Sequence, residues 1–110
     1  MKIGDKKRSY LKSVEMILSE FKYSTSTNGN VSVRHSCDKA GARLTISKYH
    51  QKYFGKIVLV ELNAVKPSRK MYKVVAIDGS RLDFRFRFTV YDEWLDDKQS
   101  NYLPDELFEL

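Results

Sequence analysis

Residues 70–90 read KMYKVVAIDGSRLDFRFRFTV, and this stretch decides the fold. Asp78-Gly79 separates two runs rich in apolar and β-branched residues. An Asp-Gly pair in that setting is a strong local signal for a two-residue β-hairpin, whose turn needs positive φ at both positions. Side chains alternate across a strand. Leu82, Phe84, Phe86, Phe88 and Val90 therefore fall on one face, and Arg81, Asp83, Arg85, Arg87 and Thr89 on the other. A two-residue turn sets Val75 opposite Leu82 and Met71 opposite Phe86, so Phe84, Phe86 and Phe88 are expected in the core. The same register sets Tyr72 opposite Arg85 and Lys70 opposite Arg87. The outer face is expected to hold Lys70, Tyr72, Arg81, Arg85 and Arg87, with Asp83 as its one acid. Guanidinium groups grip phosphate oxygens bidentately. An exposed tyrosine gives a base a ring to stack on.

Upstream of the hairpin, Ile57 to Leu62 is nearly continuous in apolar character and reads as a central strand. Pro67 falls in the connection, where it removes no ladder bond. Val31-Ser32-Val33-Arg34-His35 and Arg43-Leu44-Thr45-Ile46-Ser47 alternate like half-buried strands. Cys37 to Gly41 reads as the turn between them. Ser47 is placed to cap a short helical turn through Lys48 to Phe54, with Gly55 in the left-handed stop position. On that turn Lys48 and Lys52 share a face, as do Tyr49 and Tyr53. One face can pack while the lysines reach phosphate. Nearer the start, Tyr10, Leu11, Val14, Ile17, Leu18 and Phe21 repeat at three and four residues, which predicts an amphipathic helix over 7–23. The expected fold is α+β: one N-terminal amphipathic helix packed on a mostly antiparallel sheet of about five strands, or a small open barrel.

The 110 residues suit one domain over 1–110. Its basic body is 1–90, and 91–110 is an acidic segment containing aromatic residues. The body holds 19 of the 20 Lys and Arg against 7 of the 14 Asp and Glu, leaving +12. The segment holds one Lys and seven acids, leaving −6. Within that segment, Trp94 and Leu107 can cover the edge of the core, the acids can form a lid that competes with nucleic acid for the basic face, or Trp94, Asp96, Asp97 and Phe108 can dock a protein partner. One cysteine, Cys37, forms no internal disulfide. The opening MKIGDKKRSYLK lacks the apolar stretch of a secretory signal. No apolar run is longer than Ile57 to Val60, which is too short for a bilayer. A cytoplasmic location, or a nuclear one in a eukaryote, is expected, with no membrane association.

Residues 42–55, ARLTISKYHQKYFG, are similar to the strand, turn and glycine element of swapped-hairpin transcription factors of the AbrB type. Plant B3 domains show a comparable strand leading into His, Lys and Phe. The resemblance implies sequence-reading of duplex DNA; Ser47 stands where those families usually carry proline. Gly29 to Arg34 resembles the phosphate-binding segment of class II aldolases, but the chain is too short for that fold and lacks its zinc-holding histidine cluster.

His35 and His50 are the only histidines. With a single cysteine they make no metal set of recognisable spacing, and no phosphate loop or dinucleotide fingerprint is present. No cofactor and no metal are expected. The leading expectation is a non-enzymatic nucleic-acid-binding or regulatory domain, for DNA or RNA. It would act through Arg43, Lys48, Lys52, Lys70, Tyr72, Arg81, Arg85 and Arg87. The alternative is a small phage-type inhibitor or adaptor that blocks a host protein. A third class is a small basic ribonuclease with His50 or His35 as general base.

Overall fold

A computed structural model describes residues 2–37 and 41–96. Its longest feature is the hairpin of β5 (Lys56–Lys66) and β6 (Arg69–Ile77), which turns at Pro67-Ser68. β5 is central, as its apolar run predicts. It lies between β6 and β1 (Lys6–Leu11), and β1 pairs on its far side with β9 (Leu95–Asp96). The free edge of β6 takes two short strands, β7 (Ser80–Arg81) and β8 (Phe88–Tyr91). Together these form a six-stranded antiparallel sheet. A separate sheet holds three antiparallel strands, β2 (Tyr23–Thr25), β3 (Val31–Arg34) and β4 (Arg43–Ile46). With helix α1 (Val14–Glu20) the fold is α+β. The expected single five-stranded sheet is instead two sheets, and neither closes into a barrel. One core draws side chains from both sheets and from α1, including Leu11, Ile17, Val33, Val60, Val74 and Val90. No helix among the described residues is long and apolar enough to cross a membrane.

The helix is less than half the predicted length. Residues 6–11 are β1, and Ser13 starts the helix by accepting the Met16 N–H on its Oγ at 3.2 Å. The three-and-four spacing is therefore shared by two elements. Leu11 enters the core from β1 and Ile17 enters it from α1. A short isolated helix is marginal in water. Every residue of β1 instead pairs with β5, which satisfies a full row of backbone groups.

The hairpin turn forms as read. Asp78 and Gly79 take φ of 50° and 79°, and Ile77 pairs with Ser80 across them. Leu82 N–H still bonds Val75 O at 2.8 Å. There the predicted strand breaks. Asp83 Oδ1 accepts the Arg85 N–H at 3.1 Å, and Phe84–Phe86 wind into one 3-10 turn. The chain rejoins β6 at Phe88, which pairs with Val74. A continuous hairpin would have set Phe88 opposite Arg69. Phe84 and Phe86 are accordingly not core: they are 78% and 51% exposed. Phe88 and Val90 are buried, as expected. Tyr72 pairs with Val90 and is 3% exposed, so it is not on an outer face with Arg85. The slip brings two larger rings, Tyr91 and Trp94, fully into the core. Burying those rings outweighs burying Phe84 and Phe86.

Trp94 is thus a core side chain rather than a docking residue, packed edge-on to Tyr91 at 5.4 Å between ring centres. Asp96 is half-buried in β9 opposite Tyr10. Asp97, Leu107 and Phe108 lie outside the described residues.

Candidate functional site

The slipped register throws residues 82–87 out as a loop, and this loop meets the connection between β4 and β5. Ser47 Oγ accepts the Tyr49 N–H at 3.2 Å, Gln51–Tyr53 form a 3-10 turn, and Gly55 takes φ of 78°. The glycine stop is present as expected, while Ser47 caps only the turn at 48–50 and the 3-10 turn, with His50 at its N-cap position, has no side-chain cap. Between turn and loop lies a groove of about 350 Å³, lined by Lys48, Tyr49, His50, Lys52, Tyr53 and Phe86. Its volume falls in the range of small-ligand sites, ~300–1,000 Å³.

Two of the lining rings, His50 and Tyr53, belong to a cluster of stacked aromatic side chains. His50 stacks on Phe88 with ring centres 4.6 Å apart and planes 15° apart. Tyr53 lies 6.0 Å from Phe88, also at 15°, and Phe54 lies 5.7 Å away at 25°. Partial burial pushes the His50 imidazole below its ordinary pKa by desolvation, which favours the neutral ring. The rim is open: Tyr49 is 71% exposed. Cations sit over three of the lining rings. Lys48 Nζ is 5.2 Å from the Tyr49 ring centre, Lys52 Nζ is 5.2 Å from that of Tyr53, and the Arg85 guanidinium is 5.8 Å from that of Phe86. Such contacts hold the rings in place while the charges stay hydrated.

Of the residues singled out from sequence, the groove therefore unites Lys48, Lys52 and, through Phe86, Arg85. The others are placed differently. Arg87 is half-buried, and its Nε donates to Leu82 O at 3.2 Å, which closes the loop on itself. Arg81 is exposed on β7 beside the hairpin turn. Lys70 is exposed near the other end of β6, and Arg43 on β4 donates from Nη1 to Ser24 Oγ at 3.0 Å. None of these four lines the groove. The exposure of Phe86 is hidden in the sequence because a strand alternation does not reveal where the strand stops, and the helical spacing of Tyr49 and Tyr53 does not show which of the two rings packs.

A second cluster was not visible from sequence spacing at all. His35 is 3% exposed at the end of β3. Its Nε2 lies 2.8 Å from Glu93 Oε1 and 3.0 Å from Asp92 Oδ1, and its Nδ1 accepts the Cys37 N–H at 3.1 Å. Ser36 Oγ also donates to Glu93. The one signal available was that Val31, Val33 and His35 alternate onto the buried face, so the imidazole needed partners. Two acids of the acidic segment supply them. Donor atoms of His35, Cys37 and Glu93 lie within 4.8 Å of one another, which is compatible in distance with a metal ion. The hydrogen bonds argue against that use. A metal on Nε2 would put the ring proton on Nδ1, facing the Cys37 N–H. The cluster is a brace that ties the three-stranded sheet to the turn after β8. A further cavity of about 270 Å³ beside it is lined by Glu20 as well as Lys22 and Arg34, so its charge is mixed. Comparison of the chain with protein-family models, curated proteins and solved structures finds no match.

Proposed function

We propose that the protein binds nucleic acid, without catalysis, through the groove between the 48–53 turn and the 82–87 loop. The observation that carries this reading is the alternation of cations with accessible rings around one concavity: Lys48 with Tyr49, Lys52 with Tyr53, Arg85 with Phe86. Lysine and arginine neutralise phosphates, and rings accept bases. The wider charge distribution supports it. A body at +12 over residues 1–90 attracts polyanions over roughly a Debye length, about 8 Å in cellular salt. Arg43, Lys70 and Arg81 extend that field without lining the groove.

The test is affinity for a short duplex and a short single strand, each at two salt concentrations. Binding is expected to weaken steeply with salt through counterion release. Replacing Lys48 and Lys52 together with alanine should weaken binding and flatten that slope. Absence of binding to either ligand at low salt overturns the proposal. The inhibitor or adaptor reading rests on Phe84, a large apolar ring at 78% exposure. A single protein retained in a pull-down after nuclease treatment would favour it.

A further inference from the structure

We infer that the groove takes one unpaired base, so that the protein selects single-stranded over double-stranded nucleic acid. This rests on the nucleic-acid reading above and goes beyond it in naming the strand form. The rings of His50, Tyr53 and Phe54 lie within 25° of the Phe88 plane, so they present nearly one common orientation. His50 and Tyr53 also line the groove. Their centres are 6.3 Å apart and their planes 29° apart, so a flat ring entering the groove meets two rings that need little rearrangement to stack on it. Tyr49 and Phe86 line the same groove and are exposed, so a guest can reach both rings.

A duplex cannot use this arrangement. Its bases are stacked and paired inside, and it offers the groove only phosphates and sugars. A single strand can splay a base outward onto aromatic side chains. The charges fit the same guest. Lys48 Nζ lies over the Tyr49 ring and the Arg85 guanidinium over the Phe86 ring, so a base that stacks on the other face of either ring brings its phosphate close to a cation. The local acid, Asp83, accepts the Arg85 N–H and lies 3.5 Å from the Arg85 Nε, which leaves the positive charges dominant at the rim. The neutral form favoured for His50 suits stacking better than a hydrated cation would.

The experiment titrates full-length protein with short oligo(dT), oligo(U) and a duplex of equal length at one salt concentration. Wild type, Tyr49→Ala, Phe86→Ala and Phe86→Trp are compared. Both alanine sites are exposed, and unchanged melting curves establish that the variants fold. Each alanine variant is expected to lose roughly fivefold or more in affinity for the single strands, the range of one lost base stack, and almost nothing for the duplex. Phe86→Trp should keep the affinity, and its fluorescence should be quenched when a base stacks on it. Comparing the two oligonucleotides shows whether ribose or deoxyribose is preferred. Equal affinity for single strand and duplex, with alanine variants unchanged, overturns the stacking inference and leaves the charge-based reading standing. No binding to any of the three overturns both.

Discussion

Phe86 and Phe88 stand two residues apart in one alternating run, yet one lies open at the groove rim and the other is buried beneath it. Phe88→Ala should therefore cost about 3–5 kcal/mol of stability. Phe86→Ala should stay within about 0.5 kcal/mol of wild type, as a surface change does. Thermal melts of the two variants side by side check this, and equal losses would return Phe86 to the core. His50 adds a pH dependence of defined sign. Its folded pKa is lowered from 6.5 by desolvation. As pH falls below 6.5 the unfolded chain takes up a proton that the native ring resists. The contribution to stability is thus fully present above 6.5 and is lost as pH falls through the window beneath it. His50→Gln should reduce the slope of melting temperature against pH there. At this scale the sequence shows the chemistry of each residue well. It conceals which of several phenylalanines wins the interior, because that contest is settled by Tyr91 and Trp94, which follow later in the chain.

The 82–87 loop is an insertion into an otherwise regular ladder. Leu82 N–H bonds Val75 O, and Phe88 pairs with the adjacent Val74. Deleting Asp83–Arg87 would join Leu82 to Phe88 with both partners unchanged, giving one continuous strand along β6. The shortened protein should keep its circular dichroism spectrum and cooperative melt while losing most of its affinity for single strands. Loss of folding would show that the loop is part of the scaffold. The local signals were legible where an element is specified by its own residues. Asp78-Gly79 specifies its turn, Ile57 to Leu62 its central strand, and Ser47 with Gly55 the connection that builds half the groove. The loop was illegible because no glycine or proline marks it, and Phe-Arg alternation satisfies a strand as readily as a 3-10 turn. The helix was overextended for a related reason: Leu11 and Ile17 share a helical spacing while belonging to different elements.

Across the whole molecule the charge is divided, and the division is partly consumed by the fold. Asp92 and Glu93 hold His35 and so belong to the scaffold. Residues 97–110 carry Asp97, Asp105, Glu106 and Glu109 against Lys98, so ending the chain at Asp96 raises the net charge from +6 to +9. That truncation should tighten nucleic-acid binding and steepen its salt dependence, since tethered acids compete with phosphate at a high effective concentration. A lowered melting temperature without any gain in affinity would instead assign those residues to stability. The position of β1 has a consequence in time. Tyr10 pairs with Ile57 on one side and Asp96 on the other, so β1 lies inside the sheet between two partners that both follow it much later in the chain. Long-range closure slows folding, and an unpaired strand invites pairing with other chains. Lys6, Lys7 and Arg8 make half of β1 cationic. Mutual repulsion among these cations opposes edge-to-edge pairing of unfolded chains before β5 covers the strand.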